Sequence, residues 1–146
     1  MMTAFEMPAR QSFVIPSVTL ERGDWQAALA AAPRRLKGGF RIGGQEQFYL
    51  EGQVAYAVPK EDGDVLVCSS TQHPGEVQLQ VAHALGVEAH RVVVECRRMG
   101  GGFGGKETQA SHPACAAALA VQATGRPGKL RCDRDRDITI TGKRHD

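Results

Sequence analysis

The chain has 146 residues, a length that suits one domain with a hydrophobic core of its own. Apolar residues make up 42% and charged residues 23%, the proportions of an ordinary soluble protein, and the net charge of +2 gives no basis for nucleic-acid binding. No apolar stretch is long enough to span a membrane, and the first residues lack the apolar core of a signal peptide, so no membrane association is expected.

The four cysteines predict reduced thiols rather than a metal or disulfide framework. No two of them have the C-x-x-C spacing of zinc and iron–sulfur sites. Cys68 and Cys96 fall in predicted strands and Cys115 in a predicted helix, where a free thiol packs as a small apolar group. Reduced cysteines favour a cytoplasmic protein.

The first fifty residues contain few regular patterns. Residues 13–16, followed by residues 18–24, predict a short extended segment that ends in a turn. Asp24 is suited to cap a short alanine-rich helix that begins at Trp25 and ends before Pro33. Residues 34–42 predict a strand that two glycines interrupt.

The central part of the chain predicts strands followed by a helix. Apolar runs at residues 48–50, 53–58 and 65–70 indicate strands. After the last of them the apolar spacing changes to i, i+4, i+7 and i+8, which indicates one face of a helix that ends at Gly86. The expected inward residues of this helix are Val77, Val81, Ala84 and Leu85.

A strand at residues 91–95 then leads into a glycine-rich run, and an alanine-rich helix follows over residues 114–123. Five glycines surround one aromatic residue, Phe103, between Gly100 and Gly105. Glycine lets another molecule approach the main chain closely, so the run indicates a ligand-binding turn. Free N–H groups in such a turn, together with the dipole of the following helix, favour an anion or an oxygen-rich group.

The glycine run overlaps with two nucleotide-binding patterns, and neither is complete. Gly100, Gly102 and Gly105 fit the dinucleotide fingerprint G-x-G-x-x-G, but the acidic residue expected about 20 positions later is missing. Gly100, Gly105 and Lys106 fit the start of a P-loop, G-x-x-x-x-G-K. The next residue is Glu107, however, where a P-loop needs Ser or Thr for magnesium. A phosphate-binding module is therefore an alternative and not the leading interpretation.

Together the elements predict an α+β fold with a mixed β-sheet of about six strands and two main helices packed on it. The last two strands are expected at residues 129–132 and 138–140, around a charged turn at 133–137. Because the sequence stops just beyond the last predicted strand, with no closing helix, we expect a fragment of a longer chain.

Four segments resemble the molybdenum-binding large subunit of xanthine dehydrogenase: Gly43–Glu51, Ser70–Gln72, Arg98–Glu107 and Ile140–His145. They occur in the order found in that family, with similar gaps between them. The resemblance implies that residues 12–146 are part of a larger molybdopterin-binding domain. It also implies that residues 1–11 are a disordered or unrelated N-terminus.

The resemblance implies chemistry at a molybdenum centre that is held through molybdopterin and hydroxylates xanthine or hypoxanthine. Electrons would leave through iron–sulfur clusters to FAD and NAD on other parts of the enzyme. The expected partners are a purine substrate, the remaining part of the molybdenum subunit and an iron–sulfur/FAD subunit. The general base would lie outside this chain.

The resemblance also implies roles for individual residues. Gln72 would donate its side-chain amide near an oxo group of the molybdenum, where the main-chain N–H groups of Gly102, Phe103 and Gly104 would make further contacts. Phe103 would also help to enclose the substrate, and Glu107 would hydrogen-bond the purine. Oxygen ligands of a metal accept hydrogen bonds, so N–H and amide donors suit them. None of these residues would bind the metal directly.

Glu107 separates the purine interpretation from its nearest alternative, an aldehyde oxidase-type molybdenum hydroxylase. Aldehyde-oxidising enzymes of this superfamily tend to lack a carboxylate at this position, so its presence favours a purine. Without the resemblance, Glu107 would be interpreted as an acid in the first turn of a helix, and Gln72 as a solvated turn residue. Lys106 would be interpreted as a surface or ion-pairing residue.

Overall fold

The computed structural model describes residues 19–142, which form an α+β fold with four helices and four strands. The helices are α1 (Trp25–Ala31), α2 (Pro74–Leu85), α3 (Ser111–Thr124) and α4 (Arg134–Ile140). The strands are β1 (Val54–Pro59), β2 (Val65–Ser69), β3 (Val92–Glu95) and β4 (Gly128–Arg131). The first part of the extended segment expected at residues 13–24, up to residue 18, lies outside the described residues, and so does the end of the chain at residues 143–146. Within residues 19–142, no helix has the length and apolar character needed to cross a bilayer.

The chain divides into two compact units, Met1–Phe40 and Arg41–Asp146, and the described part of the first unit contains α1. Asp24 caps this helix as predicted, since its Oδ1 accepts a hydrogen bond from the backbone N–H of Ala27 at 2.8 Å. The strand predicted at residues 34–42 is wrong, because these residues form no helix or strand. Two consecutive glycines there weaken a strand, since glycine loses much conformational entropy when it is ordered.

The second unit is built on a mixed four-stranded sheet with the order β3-β2-β1-β4. Strand β1 is antiparallel to β2 and β4, whereas β2 and β3 are parallel and are connected through α2. The predicted mixed sheet is confirmed, although the described residues contribute four strands and not about six. The strand predicted at residues 48–50 is irregular chain, in which Phe48 has a φ of +50°.

The strand predicted at residues 138–140 is also wrong, because these residues form the end of α4. Asp133 caps this helix by accepting a hydrogen bond at 2.9 Å from the backbone N–H of Arg136. Two acids in the first turn, Asp135 and Asp137, interact favourably with the helix dipole. These signals at the helix start outweigh the strand preference of the β-branched residues that follow.

Helices α2 and α3, the two predicted main helices, pack on the sheet and enclose the hydrophobic core. Helix α2 buries three of its four predicted inward residues, Val77, Val81 and Leu85. Ala84 is exposed, and Ala82 is buried instead. Helix α3 and the strands contribute mostly small apolar side chains to this core: Ala55, Ala57, Val65, Val67, Val92, Ala114, Ala117, Ala118 and Val121. Small side chains allow α3 to lie close to the sheet, whose strand ends carry the candidate site.

Candidate functional site

The glycine run forms a loop between β3 and α3, in agreement with the predicted order of strand, turn and helix. Gly101 and Gly104 have φ angles of +90° and +89°, where a side chain would be strained. Phe103 lies between them with a φ of +52°, a conformation that is uncommon for a bulky residue. Its side chain is 76% exposed. The loop therefore presents an aromatic ring to the solvent on a tightly turned backbone.

Gln72 follows β2, and its side chain contacts this loop. Its Oε1 accepts hydrogen bonds from the backbone N–H groups of Gly104 at 3.0 Å and Lys106 at 3.2 Å. Its own backbone N–H donates to the carbonyl oxygen of Lys106 at 2.8 Å. Because the loop occupies the amide oxygen, the NH2 group is the part of Gln72 that remains to donate to a ligand. A Cβ at Gly102 would lie 2.6 Å from Gln72 Oε1, so this contact requires glycine at position 102.

The main-chain N–H groups of the loop differ in what they can offer to a ligand. The N–H of Gly104 is donated to Gln72, and that of Gly105 is donated to the carbonyl oxygen of Gly102 at 2.7 Å. The N–H groups of Gly102 and Phe103 have no acceptor among the described residues. Gly102, which is buried, and Phe103, which is exposed, thus keep N–H groups without an acceptor among the described residues, while Gly104 contributes by holding Gln72.

Glu107 lies on the same loop as Phe103, and both side chains are exposed. Helix α3 begins at Ser111, so Glu107 precedes the helix and the interpretation as a first-turn acid is wrong. Within residues 19–142 no hydrogen bond or ion pair occupies the Glu107 carboxylate. The carboxylate is therefore open to a molecule approaching the loop from the solvent.

Lys106 is wholly buried, so of the two alternatives for this residue the ion-pairing one is right and the surface one is wrong. Its Nζ lies 3.0 Å from Oε2 of Glu51 and donates to Ser70 Oγ at 2.8 Å. The ring centroid of Tyr49 lies 4.8 Å from the same nitrogen. The lysine of a P-loop must reach a phosphate. The buried position of Lys106 therefore argues against the phosphate-binding module.

Glu51 holds the beginning of the loop as well as its end. Its Oε2 accepts a hydrogen bond from the backbone N–H of Gly100 at 2.9 Å, and its own N–H donates to the carbonyl oxygen of Gly100 at 3.1 Å. Partial burial acts to raise the pKa of Glu51, but hydrogen bonds from Ser70, Gly100 and Lys106 outweigh it and lower this pKa below its usual value of 4.5. Glu51 is therefore ionised at neutral pH, as the buried ammonium requires.

Replacing Glu51 with glutamine is expected to reduce the acid sensitivity of the fold. Because the pKa of Glu51 is lower in the folded state, the carboxylate stabilises the fold above its unfolded-state pKa near 4.5 and loses this contribution as the pH falls through the folded-state pKa. Urea unfolding at about pH 7 and about pH 4 should show a larger loss of unfolding free energy in the wild type than in Glu51→Gln. Equal losses would contradict the assignment of this carboxylate.

A second buried network supports the loop through Tyr49. Tyr49 Oη donates to Asp137 Oδ1 at 2.6 Å, and the backbone N–H of Gln53 donates to Asp137 Oδ2 at 2.8 Å. Gln53 Nε2 donates to Tyr49 Oη at 3.0 Å and to the carbonyl oxygen of Gly105 at 2.7 Å. Burial raises the pKa of Tyr49 to about 12, with Asp137 adding to the shift, so the phenol is a neutral donor. Sequence reasoning missed this network, because Asp137 was assigned to a charged turn.

The exposed side of the loop thus combines neutral hydrogen-bond donors, an aromatic ring and a carboxylate. Such a set suits a ligand that carries oxygen acceptors at one end and a planar polar ring at the other. Among residues 19–142, no three His, Cys, Asp or Glu side chains are grouped so that they could hold a metal ion. Fold and site together define an α+β domain with a glycine loop at the ends of its strands, where the exposed groups are suited to a ligand.

The chain belongs to the molybdopterin cofactor-binding domain family, whose profile matches residues 6–146. It is 48% identical over 125 residues to xanthine dehydrogenase of Calliphora vicina, a match that covers 86% of this chain and 9% of the relative. It is 47% identical over 135 residues to xanthine dehydrogenase/oxidase of Mus musculus, covering 92% of this chain and 10% of the relative. The chain therefore spans about a tenth of the length of these relatives.

Solved structures share the fold of the chain. CO dehydrogenase from Oligotropha carboxidovorans superposes with a TM-score of 0.73 at 24% identity, over 83% of this chain and 15% of that chain. Aldehyde oxidoreductase from Desulfovibrio gigas gives a TM-score of 0.72 at 29% identity, over 84% of this chain and 13% of that chain. These similarities confirm the predicted fold class, and the family match confirms the resemblance drawn from the four segments.

Proposed function

We propose that this chain forms one wall of the molybdopterin site in a xanthine dehydrogenase-type molybdenum hydroxylase, an oxidoreductase of purine catabolism in the cytoplasm. The observation that carries the proposal is the placement of Gln72. Two N–H groups of the glycine loop hold its Oε1, so that its NH2 group is left to donate beside Phe103. Membership of the molybdopterin-binding family supplies the identity of the group that would receive this donor.

The available donors suit the oxygen ligands of a pterin-held molybdenum. Gln72 Nε2 and the N–H groups of Gly102 and Phe103 are neutral, so they would stabilise oxygen acceptors without adding charge next to the metal. Gly102 has no side chain that could block this approach. When bound, the cofactor would supply oxygen transfer and electron acceptance, and the residues of this chain would hold and orient it.

The substrate would be a purine such as xanthine or hypoxanthine. The exposed ring of Phe103 would wall the pocket and fix the plane of the heterocycle. The carboxylate of Glu107 would accept hydrogen bonds from the N–H edge of the purine, which a simple aldehyde lacks. The general base, the iron–sulfur clusters, FAD and NAD would belong to parts of the enzyme outside this chain, namely the remaining molybdenum subunit and an iron–sulfur/FAD subunit.

An aldehyde-oxidising enzyme is the second candidate. The aldehyde oxidoreductase of Desulfovibrio gigas, at 29% identity, supports it as a member of the same structural group. The higher identity to xanthine dehydrogenases and the open carboxylate of Glu107 favour the purine.

Gly102→Ala tests the proposed function in a full-length xanthine dehydrogenase that carries this segment. The added Cβ would lie 2.6 Å from Oε1, 2.7 Å from Cδ and 2.9 Å from Cγ of Gln72, so this side chain must move and release the N–H groups of Gly104 and Lys106. We expect xanthine turnover to fall at least about tenfold because a donor to the cofactor moves away. Steady-state turnover, measured with molybdenum and pterin content, provides the readout.

Gly75→Ala is the matched control, since no atom lies within 4 Å of its added Cβ and the residue belongs to α2. It should leave turnover and cofactor content unchanged. The proposal fails if the enzyme without substitutions contains neither molybdenum nor pterin. It also fails if Gly102→Ala turns over xanthine as fast as the control does.

A further inference from the structure

Lys106 is bound to the protein through its side chain and its backbone at the same time. Its ammonium group is wholly buried and contacts Glu51 and Ser70. Its backbone N–H donates to Gln72 Oε1, and its carbonyl oxygen accepts from Gln72 N–H and from Thr71 Oγ1. Lysine is almost never fully buried without a partner, because an isolated charge is costly to remove from water. The position of Lys106 therefore depends on Glu51, and the position of Gln72 depends on Lys106.

Glu51 connects this arrangement to the other end of the loop. One oxygen, Oε2, lies 3.0 Å from Lys106 Nζ and 2.9 Å from the backbone nitrogen of Gly100. Gly100 and Lys106 enclose the turn that carries Phe103, so a single carboxylate oxygen holds both ends of it. The side chain of Glu51 is 40% exposed, which places this carboxylate at the edge of the buried region.

We propose that Glu51 and Lys106 are a positioning pair, which fixes both ends of the glycine loop and thereby aims the Gln72 amide and the Phe103 turn at the bound ligand. The inference rests on the proposed function for the identity of that ligand. The coupling itself is a property of this chain, and its first test needs no cofactor.

Hydrogen exchange of single backbone amides, followed by NMR on the full chain, tests the coupling. The amides of Gln72, Gly105 and Lys106 are hydrogen-bonded within the loop and its support. In Glu51→Gln and in Lys106→Met we expect these three amides to exchange at least about tenfold faster, while amides of the β1–β2 ladder keep their protection. Arg91→Met is the matched control, because it removes an ion pair of similar length, 2.9 Å to Asp64, and should leave the three amides unchanged.

A double variant keeps the test decisive if a single substitution unfolds the chain. Glu51→Gln leaves a buried ammonium without its carboxylate, whereas Glu51→Gln combined with Lys106→Met removes both charges and restores much of the lost stability. In this folded double variant the loop amides should still exchange faster than in the wild type. Unchanged exchange of Gln72, Gly105 and Lys106 in any folded variant of the pair would overturn the coupling.

The positioning role is tested in a full-length xanthine dehydrogenase that carries this segment. The double variant should retain its molybdenum content while kcat falls about tenfold and KM changes less than about threefold. The reason is that the cofactor stays bound but the Gln72 amide and the Phe103 turn are no longer correctly oriented toward it. Unchanged kcat with accelerated loop exchange would overturn the positioning role. Absence of molybdenum from the unsubstituted enzyme would instead refute the proposed function and leave the exchange result to decide the coupling.

Discussion

Replacing Gly105 with alanine is expected to lower the free energy of unfolding by about 3 kcal/mol, because the loop closes against an immobile ring. The new Cβ would lie 2.5 Å from Tyr49 Cε1 and 3.1 Å from the carbonyl oxygen of Gly102, so either the ring or the backbone must move. The ring cannot turn away without breaking the buried hydrogen bonds of Tyr49 Oη with Asp137 and Gln53. Urea unfolding of the full chain measures the loss.

Two other glycines provide controls for Gly105→Ala. Gly75→Ala meets no atom within 4 Å and should raise the free energy of unfolding by about 0.5 kcal/mol, since alanine favours a helix more than glycine. Gly102→Ala meets only the side chain of Gln72, which is exposed and can move once its two hydrogen bonds break, so its cost should be below that of Gly105→Ala, which meets a buried ring and a carbonyl oxygen. If Gly105→Ala were as stable as Gly102→Ala, Tyr49 would not be fixed by its network.

The exposed side of the loop could be predicted in part from the sequence because its chemistry is local. Five glycines around Phe103 favour positive φ angles, and Gly101 and Gly104 have them, whereas the close approach of a ligand to this backbone stays a prediction. The contact between Gln72 and the loop required the family resemblance, since periodicity alone made Gln72 a solvated turn residue. The proposed role of Glu107 in binding the purine comes from the sequence resemblance, and the structure adds that this residue is exposed.

The buried side of the loop could not be predicted, because its partners are far apart along the chain. The ion pair of Lys106 with Glu51 spans 55 residues, and the hydrogen bond of Tyr49 with Asp137 spans 88. Asp137 was assigned to a turn between two strands, yet the capped helix α4 buries it. A charged residue that must be buried to support a loop has the same appearance in sequence as a solvated one, so only tertiary structure separates them.

Removing the Glu107 carboxylate is expected to shift the substrate preference away from xanthine and toward aldehydes. In a full-length xanthine dehydrogenase that carries this segment, Glu107→Ala should lower kcat/KM for xanthine about 100-fold, equivalent to about 2.7 kcal/mol of transition-state binding. Oxidation of an aromatic aldehyde should fall less than about threefold, because an aldehyde has no N–H edge for the carboxylate to bind. Steady-state kinetics with both substrates measure the ratio.

Two variants show whether any loss belongs to purine recognition. Glu88→Ala removes an exposed acid that pairs with His90 away from the loop, and it should leave both substrates unaffected. Glu107→Gln keeps a carbonyl acceptor without the charge, so its xanthine activity should lie between those of Glu107→Ala and the wild type. Because Glu107 has no partner within the described residues, its removal should not disturb the fold. If oxidation of both substrates fell equally, the carboxylate would have no part in purine recognition. In that case the second candidate, an aldehyde-oxidising enzyme, would account better for the site.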